Sequence, residues 1–219
     1  LPMKMIFLAL WVFSFNLAFA QSDCDDIDNK HDRISWQEIV NRFEGSSTLS
    51  TGDLMIKAGA SFLDYPYVAH TLENGKDEKL VMNLNEFDCT TFAENCLAIA
   101  RCLKMQKTNW KSFTAELEHI RYRDSVREGY CSRLHYFSEW ISNNIKKGVL
   151  KIPEDLTSDT LDIDVHFMSE HPDSYQVLAK YPELTETIAN LEKEISKLRL
   201  PYIPKSKIKD HSQFLKDGD

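Results

Sequence analysis

The feature that most constrains the fold of this 219-residue chain is an apolar repeat between Phe92 and Leu103. Its members recur at the three- and four-residue intervals of one α-helical face. We therefore predict a helix that begins near Asp88 or Cys89. Such a helix needs other elements to cover its apolar face. The repeating residues are Phe92, Cys96, Ile99, Ala100 and Leu103.

The rest of the sequence predicts a mostly helical domain with a few strands. A capping box at Ser35 and Glu38 predicts a helix that opens there and continues to about Phe43. Apolar spacing predicts further helices over 51–63, 110–120, 134–145 and 183–198, and a short helix from 175 that Pro182 ends. We expect strands at 80–82 and 161–167 and extended chain over 201–208. No Pro/Gly/Ser linker divides the sequence, which favours one domain.

The first twenty residues have the pattern of an export signal. Lys4 precedes an apolar run over 6–15, and Ala18-Phe19-Ala20 has the small residues of a cleavage site. We predict a signal peptide over 1–20 and a mature domain over 21–219, located in the periplasm or outside the cell. A membrane anchor is the alternative. The apolar run is shorter than a membrane span, which needs about 20 residues, so we expect no stable membrane span after cleavage.

Charge and cysteine content narrow the classes of partner. The formal net charge of −8 argues against a nucleic-acid partner. The chain has five cysteines, and an odd number leaves at least one thiol free or paired between chains. A disulfide between Cys24 and Cys131 is possible, but nothing in the sequence requires it. The sequence has no Cys-x-x-Cys pair, and the spacing of Cys96 and Cys102 is unusual for zinc, so we predict no metal site.

Cys89 is the candidate nucleophile. A cysteine in the first turn of a helix lies where backbone N–H groups point outward and the helix dipole is positive, and both favour the thiolate. The same N–H groups can stabilise a developing oxyanion. From this spacing alone, a structural cysteine is the competing interpretation.

A thiol nucleophile needs a base, usually a histidine oriented by a third polar group. His135 is the most interesting candidate, since the predicted helix over 134–145 places it and Tyr136 on a flank. Direct proton transfer would require its ring within hydrogen-bond reach of Cys89. The other candidates are His70, His119, His166, His171 and His211.

Several ordered motifs resemble the N-acetylmuramoyl-L-alanine amidase-like family of NlpC-type, papain-like cell-wall hydrolases. The main motif is residues 87–95, Phe-Asp-Cys-Thr-Thr-Phe-Ala-Glu-Asn. It is accompanied, in the same order as in the family, by residues 66–69, 71–73, 83–84, 133–141, 167–169 and 202–205. The resemblance covers about residues 35–219. It strengthens the assignment of Cys89 as nucleophile and implies a helix-rich α+β fold of the papain-like type.

The resemblance also implies a reaction and a set of site residues. Family members hydrolyse the amide between N-acetylmuramic acid and L-alanine in peptidoglycan fragments, so muropeptides are the implied partners and no cofactor is implied. The residues in matching motifs that would shape the substrate site are Tyr67, Thr71, Glu73, Asp88, Arg133, His135 and Tyr136.

The sequence departs from the family pattern in two ways. Asp64, Tyr65 and His70 stand where small residues are usual, which would narrow or alter the substrate site. The pattern also continues beyond a Gly-Asp turn like Gly218-Asp219, into strands that carry the catalytic histidine. We therefore expect a C-terminally truncated, inactive domain that lacks most of its antiparallel sheet.

Truncation would leave one apolar side of the Cys89 helix exposed. Two other functions stay open from the sequence. One is an exported cell-wall peptide endopeptidase, and the other is a non-catalytic fragment that binds muropeptides.

Overall fold

A computed structural model describes residues 30–153 and 159–218 of the chain. The predicted signal peptide and Cys24 lie outside these ranges. The fold is helix-rich α+β. Its helices are α1 (Lys30–Arg42), α2 (Thr51–Ala60), α3 (Cys89–Lys104), α4 (Trp110–Arg121), α5 (Phe137–Lys146), α6 (Phe167–Glu170), α7 (Gln176–Lys180), α8 (Thr185–Ile195) and α9 (Ile208–His211). Strands β1 (Thr160–Asp162) and β2 (Arg199–Pro201) pair antiparallel, with Leu161 opposite Leu200.

Helix α3 is the centre of the main apolar cluster, packed between α2 and α4. From Glu94 to Leu103 its residues are buried except for Arg101, which is partly exposed. The predicted exposed apolar side of this helix is therefore wrong. Helices α2 and α4 cover it, and the exposed apolar side chain is Phe92 in the first turn. Burial of this face stabilises the fold by about 25 cal/mol for each Å² of apolar surface removed from water.

A second, smaller apolar cluster lies around α6, α7 and α8. Its core residues include Met168, Leu178 and Ile188, which pack with Tyr130 from the segment before α5. Tyr136 and Tyr175 pack against its edge. The α6–α8 region thereby joins the main body through aromatic residues that precede α5.

Two helix starts differ from the sequence prediction. Helix α1 begins by Lys30, so the capping box predicted at Ser35 is wrong; the Ser35 hydroxyl instead donates to Oδ1 of Asn85 across the fold. Helix α5 begins at Phe137, so His135 and Tyr136 precede the helix rather than lie on its flank. A bridge between Arg133 and Tyr122 holds this segment extended.

The C-terminal half is less extended than its sequence pattern predicts. The strand expected over 161–167 stops at Asp162, and Phe167 begins α6. The Glu192 carboxylate accepts the N–H groups of Met168 and Ser169 in this helix. The extended chain predicted over 201–208 ends early: Pro201 is the last residue of β2, Lys205–Lys207 form a 3₁₀ segment, and α9 begins at Ile208. No helix in 30–153 or 159–218 is long and apolar enough to cross a membrane.

Candidate active site

Asp88 fixes the start of α3. Its Oδ1 accepts the backbone N–H of Thr91 at 2.8 Å, and the Thr91 hydroxyl accepts the N–H of Asp88 at 2.9 Å. This reciprocal pair is a capping box, which satisfies two N–H groups that a helix start otherwise leaves without partners. The N–H groups of Cys89 and Thr90 have no acceptor in the described ranges. Two donors are therefore open at the helix start.

Cys89 is the first residue of α3 and its side chain is exposed. Its sulfur lies 4.0 Å from the Thr90 hydroxyl, and no histidine of the described ranges is within hydrogen-bond distance of it. The hypothesis that His135 acts directly as its base is therefore wrong for this arrangement. The thiol nevertheless lies at the positive end of a 16-residue helix, beside two open N–H donors.

A cleft of about 180 Å³ opens beside Cys89, between the start of α3, the segment before α5 and the α6–α8 region. Thr90 and Glu94, one helical turn apart on α3, form one of its sides. Five of the predicted substrate-site residues meet in it. Its lining is His70, Leu72, Glu73, Asp88, Thr90, Glu94, Arg133, Leu134, His135, Tyr136, Met168 and Tyr175.

Tyr67 and Thr71 do not line this cleft. Tyr67 is 71% exposed, and its segment pairs with that of Phe87, where the N–H of Val68 donates to the Phe87 carbonyl at 2.9 Å. The Thr71 carbonyl accepts the side-chain amide of Asn74. The pairing at Tyr67 fixes the chain that leads into Asp88 and Cys89.

Arg133 is held by two acids. Its Nη2 donates to Oε1 of Glu73 at 2.8 Å, and its Nε lies 3.0 Å from Oε1 of Glu78. Burial opposes the charged form of Arg133, but Glu78 and Glu73 together outweigh it and raise its pKa. Burial raises the pKa of Glu78, while Arg133 acts against that shift. The charge of Arg133 is therefore balanced within the fold.

Tyr136 links the segment before α5 to the α6–α8 region. Its hydroxyl donates to Oε1 of Glu192 at 2.5 Å and accepts the N–H of Met168 at 2.9 Å. The same Glu192 oxygen accepts the N–H groups of Met168 and Ser169. Burial and the bond to Glu192 raise the pKa of Tyr136. The Tyr136 hydroxyl is therefore a structural tether. The part of Tyr136 that a ligand in the cleft can contact is its ring.

Several lining residues were not among the predicted site residues. Thr90 and Glu94 lie within the motif of residues 87–95, and their separation of four residues is the signal that would have placed them on one helix face. Met168 and Tyr175 come from a segment far away in sequence, and no local spacing indicates them. In residues 30–153 and 159–218, no group of three or more His, Cys, Asp or Glu side chains is placed to hold a metal ion.

Comparison with known proteins identifies the family. The AmiA-like family model, described as N-acetylmuramoyl-L-alanine amidase-like, matches residues 57–219. Two crystal structures of an N-acetylmuramoyl-L-alanine amidase from Bacteroides uniformis are similar, with identities of 39% and 38% and TM-scores of 0.67 and 0.66. In both, the match covers 72% of this chain and 66% of the other, so the chain spans just under two thirds of their length.

A Legionella pneumophila structure matches 80% of this chain and 64% of its own, at 23% identity and a TM-score of 0.54, and shows the fold alone. No curated protein matches. With its family model covering residues 57–219 and the cleft built from the motifs of that region, the chain belongs to the N-acetylmuramoyl-L-alanine amidase-like family.

Proposed function

We propose that this chain carries the nucleophile and the substrate site of a cysteine-nucleophile amidase, which cleaves the amide between N-acetylmuramic acid and L-alanine in peptidoglycan fragments. The inactivity expected from the sequence stays a prediction, which product analysis tests. The observation that carries the proposal is the exposed thiol of Cys89 at the first position of α3, beside a cleft built from family motifs. The name of the Bacteroides uniformis structures supports the choice of substrate. The papain-like NlpC-type fold, and export to the periplasm or beyond the cell, belong to the same proposal.

The chemistry follows from the helix start. The Cys89 thiolate attacks the amide carbon and forms a tetrahedral oxyanion, for which the N–H groups of Cys89 and Thr90 are the available donors. The carbon–nitrogen bond then breaks, the amine of L-alanine leaves with the proton that the Cys89 thiol gave up, and the acyl group of N-acetylmuramic acid stays on Cys89 as a thioester. Water hydrolyses the thioester and restores the thiol. We assign the general base to no residue of the described ranges.

The test is product analysis on a muropeptide that carries a stem peptide. Release of an intact peptide beginning with L-alanine supports the amidase. Shorter peptides would instead identify an endopeptidase, and binding without cleavage would identify a muropeptide-binding fragment. The Cys89→Ala variant should abolish both cleavage and the most rapid alkylation by iodoacetamide.

Cys131→Ala is the matched control. Cys131 is partly buried and burial raises its pKa, so this change should leave cleavage and rapid alkylation intact. If Cys131→Ala removed the rapid alkylation and Cys89→Ala did not, Cys89 would not be the activated thiol.

A further inference from the structure

The ring of His135 has a defined orientation. Its Nε2 lies 2.9 Å from the backbone carbonyl oxygen of Tyr130, and the ring packs on that of Tyr130 with centroids 4.4 Å apart. A carbonyl oxygen can only accept a hydrogen bond, so Nε2 carries the proton and donates. In the neutral ring Nδ1 is then an acceptor. No group in the described ranges donates to Nδ1.

The surroundings of His135 keep the ring neutral. Burial lowers its pKa well below the ordinary value, and the charge of Arg133 lowers it further. Protonation of Nδ1 would place a second positive charge beside that guanidinium, at a partly buried site. His135 therefore has an unprotonated Nδ1, and the residue is part of the lining of the cleft.

The polar groups of two residues close to His135 in sequence are used by the fold. The guanidinium of Arg133 is held by Glu73 and Glu78, and the hydroxyl of Tyr136 is held by Glu192. Nδ1 of His135 is an acceptor to which no group of the described ranges donates. The complementary ligand group is a hydrogen-bond donor.

The cleft is displaced from Cys89 around the α3 axis. Thr90 and Glu94 line it, and Thr90 is rotated by about 100° from Cys89 along the helix. A ligand whose scissile bond faces Cys89 would place a neighbouring group in the cleft. We propose that His135 accepts a hydrogen bond from a secondary amide N–H of the substrate that flanks the scissile bond, an assignment that rests on the proposed amidase function.

Two substrate groups carry such an N–H: the peptide amide after L-alanine and the acetamido group of the sugar. The experiment measures binding to the Cys89→Ala protein by calorimetry, which avoids turnover. The ligands are N-acetylmuramoyl-L-alanyl-D-isoglutamine and two analogues, one with the peptide amide replaced by an ester and one with the acetamido group replaced by an acetate ester. Each ligand is measured on the Cys89→Ala protein and on the double variant Cys89→Ala/His135→Phe. The phenylalanine keeps an aromatic ring packed on Tyr130.

We expect one analogue to bind about 3- to 10-fold more weakly than the parent, as for the loss of one neutral hydrogen bond. That discrimination should vanish in His135→Phe, and His119→Phe should retain it, because His119 lies outside the cleft. The analogue that shows the effect identifies the amide. Should His135→Phe fail to fold, His135→Gln offers a second acceptor and should keep part of the discrimination.

Equal binding of all three ligands to the protein that retains His135 would overturn the proposal. A preference for the parent ligand that His135→Phe leaves unchanged would also overturn it. The proposed function fails separately. If a muropeptide bound with His135-dependent discrimination but the Cys89 protein released no peptide, the cleft assignment would stand and the amidase would not.

Discussion

Nε of Arg121 lies 2.7 Å from Oε2 of Glu94, and both side chains are at most 2% exposed. Nη1 of Arg121 also donates to the Val81 carbonyl at 2.7 Å. One guanidinium thus joins α4 to α3 and to the segment before it. Glu94 lines the cleft, so this pair fixes the α3 side of the candidate site.

Removing one partner of this pair should be costly. Arg121→Met leaves the Glu94 carboxylate buried and uncompensated, and we expect a loss of about 3–5 kcal/mol in the free energy of unfolding, measured by urea denaturation. The double variant Glu94→Leu/Arg121→Met should recover most of that loss. A double variant as unstable as Arg121→Met would show that packing of Arg121, rather than charge pairing, is what the fold needs.

Loss of the Asp88 cap should weaken the start of α3. Asp88→Ala removes the acceptor of the Thr91 N–H, and we expect it to lower the free energy of unfolding by about 1 kcal/mol. Asp88→Asn keeps an N-cap acceptor and should cost much less. Thermal unfolding of both variants measures the difference. If Asp88→Asn proved as destabilising as Asp88→Ala, the charge and not the cap would account for the effect.

His135 should make stability depend on pH. Its pKa in the fold is well below the unfolded value of 6.5, chiefly through burial and then through Arg133. Between these two pKa values the unfolded chain binds the extra proton, so the free energy of unfolding rises with pH up to about 6.5. Urea denaturation across this window should show a smaller slope for His135→Phe.

The slope should not disappear entirely in that variant, because burial also lowers the pKa of His119. Superimposable pH profiles for the wild type and His135→Phe would contradict the prediction.

Gly52 should be required for the position of the C-terminal segment. A β-carbon at Gly52 would overlap the backbone carbonyl oxygen of Asp217. Gly52→Ala should therefore displace the chain around Asp217 while leaving α2 intact, since alanine favours helix over glycine by about 1 kcal/mol. Hydrogen exchange should rise in 213–218. Gly59→Ala, in the same helix, should leave exchange there unchanged, because its nearest contact is the Phe92 ring.

Helices with a regular apolar spacing could be predicted from sequence. The predictions for α2, α3 and α4 agree with the structure, because these helices bury most of the repeating positions themselves; Phe92 of α3 is an exception. The start of α5 could not be predicted in this way. Its apolar spacing continues through Leu134, but the bridge between Arg133 and Tyr122 keeps the preceding chain extended.

The candidate site was predictable only in part, because contacts between residues distant in sequence shape it. Cys89, Asp88 and Thr90 are neighbours in sequence, so local patterns place them together. The contacts that shape the cleft join distant residues, such as Arg133 with Glu73 and Tyr136 with Glu192. No local period encodes such pairs. The sequence therefore indicates that Arg133 and Tyr136 belong to the site, but not that their polar groups are used by the fold.

The tether between Tyr136 and Glu192 has a consequence for how relatives can diverge. The cleft lies where two separately packed apolar clusters meet, and its width is set by the links between them. A change at Glu192 can shift the α6–α8 wall, which carries Met168 and Tyr175, without altering Cys89 or its helix. Ligand selectivity can thus drift in evolution, or be redesigned, through a position that does not itself line the cleft.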